Sequence, residues 1–334
     1  MNTQILNMDP KNIPFAAELL KKGEIVAIPT ETVYGLAGNG LSADAVKKIF
    51  EAKGRPSDNP LILHISSVDW LYRYAENVPD LALRLAERFW PGPLTMIMPK
   101  KSIVPMETSG GLDTVAFRMP NNQWTLKLIE ACDFPLAAPS ANLSGLPSPT
   151  RAGYVYNDME GKIPLIIDGG QCFYGLESTV ITFTDNGVRI LRPGGVTAEM
   201  LKRFCFVEID KAVTESLQNG DKVLSPGMKY KHYSPKAEVF MVKCNDNESF
   251  ADFVNKNFDE NTIVLAKKAD NIKAKTLPYG KTARQEAEKL FASLRKADEM
   301  GAKKIYVQAP NKEGIGLAVY NRLIRAAAFK VIEL

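Results

Sequence analysis

Cationic and hydroxyl side chains occupy short loops between apolar runs in the first half of the chain, where they could bind a phosphate or a carboxylate. Lys53 and Arg55 are two cations separated by Gly54, and Pro56 follows them. The glycine and the proline restrict the backbone, which suits a rigid fork facing a phosphate. Two solvated charges at a helix end explain the same residues. Both interpretations stay open for this loop alone.

Two further loops carry hydroxyl groups that a plain turn does not need. Residues 29–37 (PTETVYGLA) follow a buried apolar run, and residues 138–145 (APSANLSG) contain Ser140 and Asn142. In an open α/β sheet, loops at strand ends line the ligand crevice, and hydroxyls with backbone N–H groups can receive phosphate or a small polar substrate. A turn with internally satisfied hydroxyls explains the first loop equally well.

Two polar residues lie within apolar strands, where they are costly without partners. Arg118 needs a carboxylate, which a ligand or a protein Asp or Glu could supply. His64 taken alone is more often a satisfied core histidine than a catalytic one. The segments ESTV and RPGG add Ser178 and Arg192 at later strand ends. Six polar loops at strand ends of one domain favour a ligand site over a purely structural role.

The hydrophobic pattern places these loops on an α/β scaffold of two domains. It predicts strands near 25–28, 61–65, 94–98, 115–119, 164–167, 178–183 and 188–191, with helices near 42–53, 80–89 and 124–131. Some steps between strands are too short for helical crossovers, so a mixed sheet is expected. Beyond residue 236, strands and helices alternate, which predicts a smaller parallel sheet. The expected boundaries are 1–208, a linker at 209–236, and 237–334.

Two glycine-containing segments match phosphate motifs only in part. Residues 279–282 (YGKT) end like a phosphate loop, but Lys275 stands where the earlier glycine is required. Residues 314–316 (GIG) are followed by Val319 where a dinucleotide fingerprint needs its third glycine. Both segments are predicted to be helix starts. Any bound nucleotide phosphates must then be held by separate cationic side chains and loop hydroxyls.

The composition narrows the class of protein. A length of 334 residues suggests about two domains, and 45% hydrophobic with 24% charged residues is ordinary for a globular chain. A net charge of +4 and a pI near 8.7 permit a phosphate-bearing ligand but fall short of a dedicated nucleic-acid binder. Four scattered cysteines and two histidines argue against a zinc site. Without a signal peptide pattern or an apolar run of roughly 20 residues, a cytoplasmic protein with no membrane contact is expected.

The motifs together resemble the threonylcarbamoyl-AMP synthase family, whose catalytic part is called the YrdC-like domain. The matching segments, in order, are PTETVYGL, KGRPSDNPL, FWPGPLT, RMP, APSANLSG, ESTV and RPG. They span about residues 10–205, while SPGMKYKHYSP and GIGLAVYNRLIRAA resemble the long, two-domain form of the family. The resemblance implies a mixed, twisted, open YrdC-like sheet followed by a smaller Rossmann-like α/β domain with a parallel sheet.

The resemblance implies a nucleotidyltransferase that converts L-threonine, bicarbonate and ATP to threonylcarbamoyl-AMP and pyrophosphate, for the threonylcarbamoyladenosine modification of tRNA. It assigns to threonine the residues Thr32, His64, Arg118, Ala138 and Ser178. It assigns to ATP the residues Lys53, Arg55, Asn59, Thr114, Ser140, Asn142, Ser148 and Arg192. Mg²⁺ is expected to arrive with ATP and to take no ligand from protein side chains. The expected recipient of the product is a tRNA threonylcarbamoyl transferase complex.

The linker prompts a separate hypothesis. Residues 225–235 are polar and rich in Tyr and Lys, and we predict that they fold over the pocket as a lid around His232 and Tyr233. Removal of residues 206–334 is then expected to abolish or badly impair synthesis.

Two alternatives stay open at this point. One is an RNA-binding module with a basic concave surface, which an aromatic content of 9% without a stacking pattern disfavours. The other is a related adenylate-forming enzyme that uses a different amine. A weak direct contact with tRNA is compatible with the mild positive charge.

Overall fold

The computed structural model describes residues 2–215 and 233–334, which form two sheets packed with helices. The strands of the first sheet are β1 (Gln4–Asn7), β2 (Val26–Ile28), β3 (Gly35–Asn39), β4 (Ile62–His64), β5 (Leu94–Pro99), β6 (Thr114–Arg118), β7 (Leu136–Ala137), β8 (Leu165–Asp168), β9 (Thr179–Thr184), β10 (Gly187–Arg192) and β11 (Phe206–Ile209). The helices of this half are α1 (Ile13–Lys21), α2 (Ala43–Lys53), α3 (Trp70–Tyr74), α4 (Asp80–Phe89), α5 (Met106–Ser109), α6 (Gln123–Cys132), α7 (Ala152–Met159) and α8 (Ala198–Leu201).

The first sheet has the order β1-β8-β2-β3-β7-β4-β6-β5-β9-β10-β11. The sheet contains parallel pairs such as β4–β6 and β5–β9 and antiparallel pairs such as β3–β7 and β9–β10. The expected mixed sheet is therefore confirmed. Short steps such as the one from β9 to β10 force antiparallel pairing, because a parallel return needs a long crossover.

Helix α2 begins and ends where its sequence predicts, and it positions the two cations that follow. The Ser42 side chain accepts a hydrogen bond of 3.3 Å from the backbone N–H three residues later, which caps the first turn. Val46 and Ile49 are buried on the inner face. Gly54 adopts the left-handed conformation at φ 59°, which stops the helix directly after Lys53.

Strands β4 and β6 place two of the predicted site residues side by side. They pair in parallel with Leu63 opposite Phe117 and His64 opposite Arg118. Strand β7 lies antiparallel on the other side of β4. The two polar side chains come from the same end of adjacent strands, so they face one region of the fold.

The second sheet is parallel throughout, as expected from the alternating pattern. Its strands are β12 (Glu238–Lys243), β13 (Thr262–Ala266), β14 (Lys275–Pro278), β15 (Lys304–Gln308) and β16 (Val331–Glu333), in the order β14-β13-β15-β12-β16. The helices are α9 (Asn247–Asn257), α10 (Ala283–Glu299) and α11 (Gly316–Ala326). The Thr282 side chain accepts a hydrogen bond from Gln285 N at the start of α10, so the helix start predicted at residues 279–282 is confirmed.

Several elements escaped prediction. Residues 29–37 were interpreted as one loop, but β3 starts at Gly35 and pairs with β2. Gly35 and Gly38 leave β3 with little β propensity, so tertiary pairing decides its conformation. Strand β14 is an edge strand with exposed ends and lacks an apolar run.

The apolar cores of the two domains meet. The main cluster of the second domain includes Tyr233 and also Val33 and Leu176 from the first domain. The boundaries proposed from the sequence stay a prediction, since residues 216–232 of the linker lie outside the described residues. Within the described part of the chain, no helix combines the length and the apolar character needed to cross a membrane.

Candidate active site

Loops from separate parts of the first sheet converge on one hollow. The predicted site residues in its lining are Thr32, Arg55, His64, Arg118, Ala138, Ser140, Ser178, Arg192 and Tyr233. The enclosed cavity measures about 60 Å³, and the empty space including its mouth measures about 610 Å³. The narrow inner part suits a small substrate, and a larger one must extend into the mouth.

Five other predicted residues lie outside this lining, namely Lys53, Asn59, Thr114, Asn142 and Ser148. Lys53 is buried and its Nζ donates to the backbone oxygens of Ser140 at 2.5 Å and Asn142 at 2.7 Å. The Asn142 amide donates in turn to the backbone oxygens of Leu143 and Leu146. These contacts hold the 140–146 loop in shape. The prediction that Lys53 and Asn142 also support the phosphates is not decided by them.

The guanidinium of Arg118 is buried beside a protein carboxylate. Its Nη2 lies 2.8 Å from Glu31 Oε1, and both side chains are about one-twentieth exposed. The contact is an ion pair without hydrogen-bond alignment, because Arg118 Nε and Nη2 have no hydrogen-bond partner among the described residues. Glu31 therefore balances the buried charge while leaving N–H donors for a second, ligand carboxylate.

His64 is held in its neutral form. Burial first, and the neighbouring charge of Arg118 second, lower its pKa from 6.5 to about 3. Its Nδ1 lies 3.2 Å from the backbone oxygen of Ile62. A histidine with so low a pKa is a poor proton acceptor near neutral pH, so it contributes shape and hydrogen bonding rather than charge.

The buried neutral His64 predicts a stability change with pH. The unfolded chain binds a proton near the ordinary pKa while the folded chain does not, so stability is lost as pH falls below about 6.5. Between about pH 6.5 and pH 5.5, one such group removes about 1 kcal/mol from the free energy of unfolding. Urea unfolding of the natural chain and of His64→Gln at these pH values checks this. An equal pH dependence in both would show that His64 is not the responsible group.

A buried carboxylate organises the opposite wall of the hollow. Glu177 accepts a short hydrogen bond from Ser148 and forms an ion pair of 2.9 Å with Arg322 of helix α11. Burial alone would raise the pKa of Glu177, but Arg322 and Arg192 outweigh burial and lower it. The carboxylate is therefore ionised, and it ties the second domain to this wall.

Arg192 and Ser178 form the adjoining corner. Arg192 donates through Nε to the Ser178 backbone oxygen at 3.1 Å and through Nη2 to its Oγ at 3.2 Å. The same Oγ lies 2.8 Å from Thr95 Oγ1. Gly194 makes this corner possible, because a Cβ there would lie 2.3 Å from the backbone nitrogen of Thr179. Burial lowers the pKa of the Arg192 guanidinium.

Arg55 faces the hollow and forms no ion pair with another described residue. Its Nε and Nη2 are buried and have no hydrogen-bond partner among the described residues. Burial lowers its pKa to about 10, which leaves it charged at neutral pH. Buried donors without partners are costly, so an anionic ligand would relieve a real deficit here.

Residues 233–235 are the described part of the predicted lid, and Tyr233 is the one of them that lines the hollow. Tyr233 is buried, and its ring stacks on Phe291 of α10 at 5.2 Å. His232 and the rest of the predicted lid up to that point lie outside the described residues. Among the residues that the structure does describe, no group of His, Cys, Asp and Glu side chains could hold a metal ion.

Three residues that shape the site were not singled out from the sequence: Glu31, Thr95 and Arg322. All three stand inside quoted motifs, PTETVYGL, FWPGPLT and GIGLAVYNRLIRAA, but nothing local distinguishes the first two. Arg322 carried a usable signal. It interrupts the apolar face of a helix, where a charge is costly without a buried partner.

Comparison with known proteins shows the family to which this arrangement belongs. Residues 18–194 match the family profile described as "Telomere recombination", and residues 196–328 match "Threonylcarbamoyl-AMP synthase, C-terminal domain". A threonylcarbamoyl-AMP synthase of Pyrococcus abyssi is 45% identical over 96% of this chain and 95% of its own length. The chain belongs to the threonylcarbamoyl-AMP synthase family.

Other members of the threonylcarbamoyl-AMP synthase family are also similar to this protein over its whole chain. The Bacillus subtilis synthase is 41% identical over 99% of this chain and 97% of its own. The crystal structure of P. abyssi Sua5 complexed with L-threonine superposes with a TM-score of 0.92 at 43% identity, covering 100% of this chain and 99% of that one. The family fold thus includes both domains and their arrangement. As a member of this family the protein is an enzyme, which rejects the RNA-binding module as its primary function.

Proposed function

We propose that the hollow binds L-threonine at its Arg118 end and ATP at its Arg55 and Arg192 end. Membership of the family gives the reaction: L-threonine, bicarbonate and ATP are converted to threonylcarbamoyl-AMP, pyrophosphate and water. The observation that carries the proposal is the convergence of three arginines on one hollow: Arg118 and Arg192 are buried, and Arg55 is partly exposed with a buried Nε and Nη2. The P. abyssi relative was crystallised with L-threonine, which supports an amino-acid site in this fold.

At the threonine end, the substrate carboxylate would pair with the free donors of Arg118. Glu31 stays behind the guanidinium, so the site remains close to neutral when threonine binds. Thr32 and Ala138 also line the hollow and are proposed to contact the threonine. Thr32 Oγ1 is fixed by Thr30 Oγ1 at 2.8 Å, which orients a hydroxyl toward a small polar substrate.

At the nucleotide end, Arg55 and Arg192 place positive charge beside the phosphates. Ser140 offers a hydroxyl group to the same phosphates. Lys53 acts through the loop, since its ammonium group bonds the two carbonyls that shape residues 140–142. Asn59, Thr114 and Ser148 stand behind the lining, and their assignment to ATP stays a prediction.

The reaction needs positioning more than proton transfer. The threonine nitrogen attacks the carbon of bicarbonate and water leaves, which gives a carbamate. A carbamate oxygen then attacks the α-phosphorus, and pyrophosphate departs with the electron pair of the broken P–O bond. Such intermediates decay in water, so an enclosed hollow protects them. A neutral His64 beside Arg118 fits this chemistry, because it adds no charge that would compete for the carboxylate.

Mg²⁺ is proposed to travel with ATP. Two described carboxylates at the hollow already have arginine partners, Glu31 with Arg118 and Glu177 with Arg322. They fit the ion poorly, so the triphosphate would supply its anionic ligands. The product would pass to a tRNA threonylcarbamoyl transferase in the cytoplasm. A weak direct contact with tRNA belongs to the same proposal.

Mass spectrometry with ¹³C-bicarbonate tests the proposed reaction. The chain with ATP, Mg²⁺ and L-threonine is expected to form an adenylate that carries one labelled carbon, together with pyrophosphate. Serine and glycine are expected to react more slowly, because they lack the threonine methyl group, which is worth about 1 kcal/mol or more in an apolar pocket. An unlabelled threonyl adenylate, or a preference for glycine, would contradict the proposal.

A further inference from the structure

A second cavity lies in the C-terminal domain, away from the hollow. Its volume is about 540 Å³, within the range of small-ligand sites. It opens at the carboxyl ends of the parallel strands β13 and β14 and at the beginning of α10. Ligands of parallel α/β sheets bind at this edge, where helix N-termini favour anions.

The lining of this cavity is cationic. Lys267, Lys281 and Lys289 contribute to it, and no Asp or Glu is among the lining residues that the structure describes. Lys267 lies 3.7 Å from the buried Glu286, a distant pair that holds it in place. Lys281 and Lys289 form no ion pair with any described residue. Two ammonium groups without an ion-pair partner in the described part of the chain therefore face a space of ligand size.

The segment YGKT builds the rim. Gly280 adopts φ +112°, and a Cβ there would lie 2.6 Å from Gln285 Cβ. A glycine is thus required for the loop to pass close to the first turn of α10. Tyr279 stands in the cavity wall, fully buried, and its hydroxyl has no hydrogen-bond partner within the described residues. The segment is a helix start, as predicted, but it also borders a site.

The same helix joins the cavity to the catalytic domain. Near its beginning, Arg284 donates to the Phe173 backbone oxygen at 2.6 Å. Further along, Arg295 pairs with Asp158 at 2.7 Å. A ligand at the start of α10 would therefore bind to the helix whose Arg284 and Arg295 contact the catalytic domain.

We propose that this cavity binds a small phosphate-bearing ligand of mononucleotide size, separately from the catalytic hollow. The phosphate would lie between Lys281 and Lys289 at the start of α10. The apolar residues Leu277 and Ala266 would contact the uncharged part of the ligand. The volume and the position of the charges favour a compact phosphate ester over an extended RNA strand.

Calorimetric titration of AMP into the full chain tests this site. Arg55→Ala is used as the background, because under the proposed function it is expected to weaken nucleotide binding in the catalytic hollow. In that background, Lys281→Gln with Lys289→Gln is expected to weaken AMP binding at least about tenfold. The matched control, Lys268→Gln with Lys273→Gln, removes the same charge from exposed lysines outside the cavity and is expected to change it less than about twofold. Inorganic phosphate should compete with AMP, and adenosine should not.

With Arg55 intact, the Lys281 and Lys289 double variant is expected to keep threonylcarbamoyl-AMP synthesis within about twofold of the natural chain. A crystal soaked in AMP gives an independent measurement, with phosphate density expected between the two lysines. The proposal is overturned if the control pair weakens AMP binding equally, or if adenosine binds as tightly as AMP. Binding of a short RNA through these lysines without AMP binding would likewise overturn it.

Discussion

Replacing Arg118 with alanine is expected to lower kcat/KM for L-threonine by about a thousandfold, with less than about a threefold change in ATP affinity. The guanidinium is buried, and two of its donor atoms have no hydrogen-bond partner within residues 2–215 and 233–334. Its loss leaves both Glu31 and the substrate carboxylate without a countercharge, which costs about 3–5 kcal/mol. Since roughly 1.4 kcal/mol corresponds to a tenfold change, this cost agrees with the expected loss. Pyrophosphate release at varied threonine concentration measures kcat/KM for L-threonine. Titration of the protein with ATP measures the ATP affinity.

Three variants control this experiment. Arg118→Lys keeps the charge but loses the planar fork, so an intermediate loss is expected. Arg73→Ala removes an exposed arginine paired with Asp133 at 3.3 Å and should leave kinetics unchanged. Arg55→Ala should show the reverse pattern, with ATP affinity affected more than threonine use. Equal losses for both substrates in Arg118→Ala would refute the assignment of the threonine end.

Arg322→Ala is expected to destabilise the chain by about 3–5 kcal/mol and to reduce synthesis at least about a hundredfold. Arg322 is fully buried, donates to Glu177 at 2.9 Å and donates to the Pro193 backbone oxygen at 2.8 Å. Without it, Glu177 becomes an unpaired buried charge in the wall that carries Ser178. Urea unfolding and pyrophosphate release measure the two effects.

A double-mutant cycle separates the ion pair from general damage. Arg322→Met with Glu177→Gln removes both charges, so its stability is expected to recover relative to Arg322→Met alone, although activity stays low. Arg189→Ala breaks an exposed pair with Glu208 and serves as the matched control. Natural stability in Arg322→Ala would show that the second domain does not hold this wall.

A chain without residues 206–334 is expected to lose most or all synthesis, and the contacts of Arg322 and Arg295 give a physical reason for this. These side chains hold the Glu177 wall and the Pro147 backbone oxygen from outside the first domain. The truncated chain would keep the catalytic motifs but lose the elements that fix two of their loops.

Local signals in the sequence predicted individual elements well. Helix α2 has a cap at Ser42, a buried face and a stop at Gly54, all within a few residues of one another. The same holds for the cap of α10 at Thr282. Strand β3 was missed because two glycines weaken its local preference, and its pairing with β2 and β7 decides its conformation.

The site was predictable in its members more than in its contacts. The need of Arg118 for a carboxylate followed from its apolar strand, but the sequence could not separate a ligand from Glu31. The assignment of Lys53 to the phosphates stays a prediction, and the sequence did not reveal that its ammonium group bonds two backbone oxygens that are distant in sequence. Arg322 and Glu177 are 145 residues apart, so no local pattern links them.

A crystal structure of the full chain with L-threonine and a non-hydrolysable ATP analogue tests the central claim most directly. The account predicts that the threonine carboxylate lies within hydrogen-bonding distance of Arg118 and that the phosphates lie against Arg55 and Arg192. Both ligands should occupy one hollow, with the threonine nitrogen directed toward the α-phosphate side. Threonine bound elsewhere on the molecule, or the two ligands in separate cavities, would contradict it.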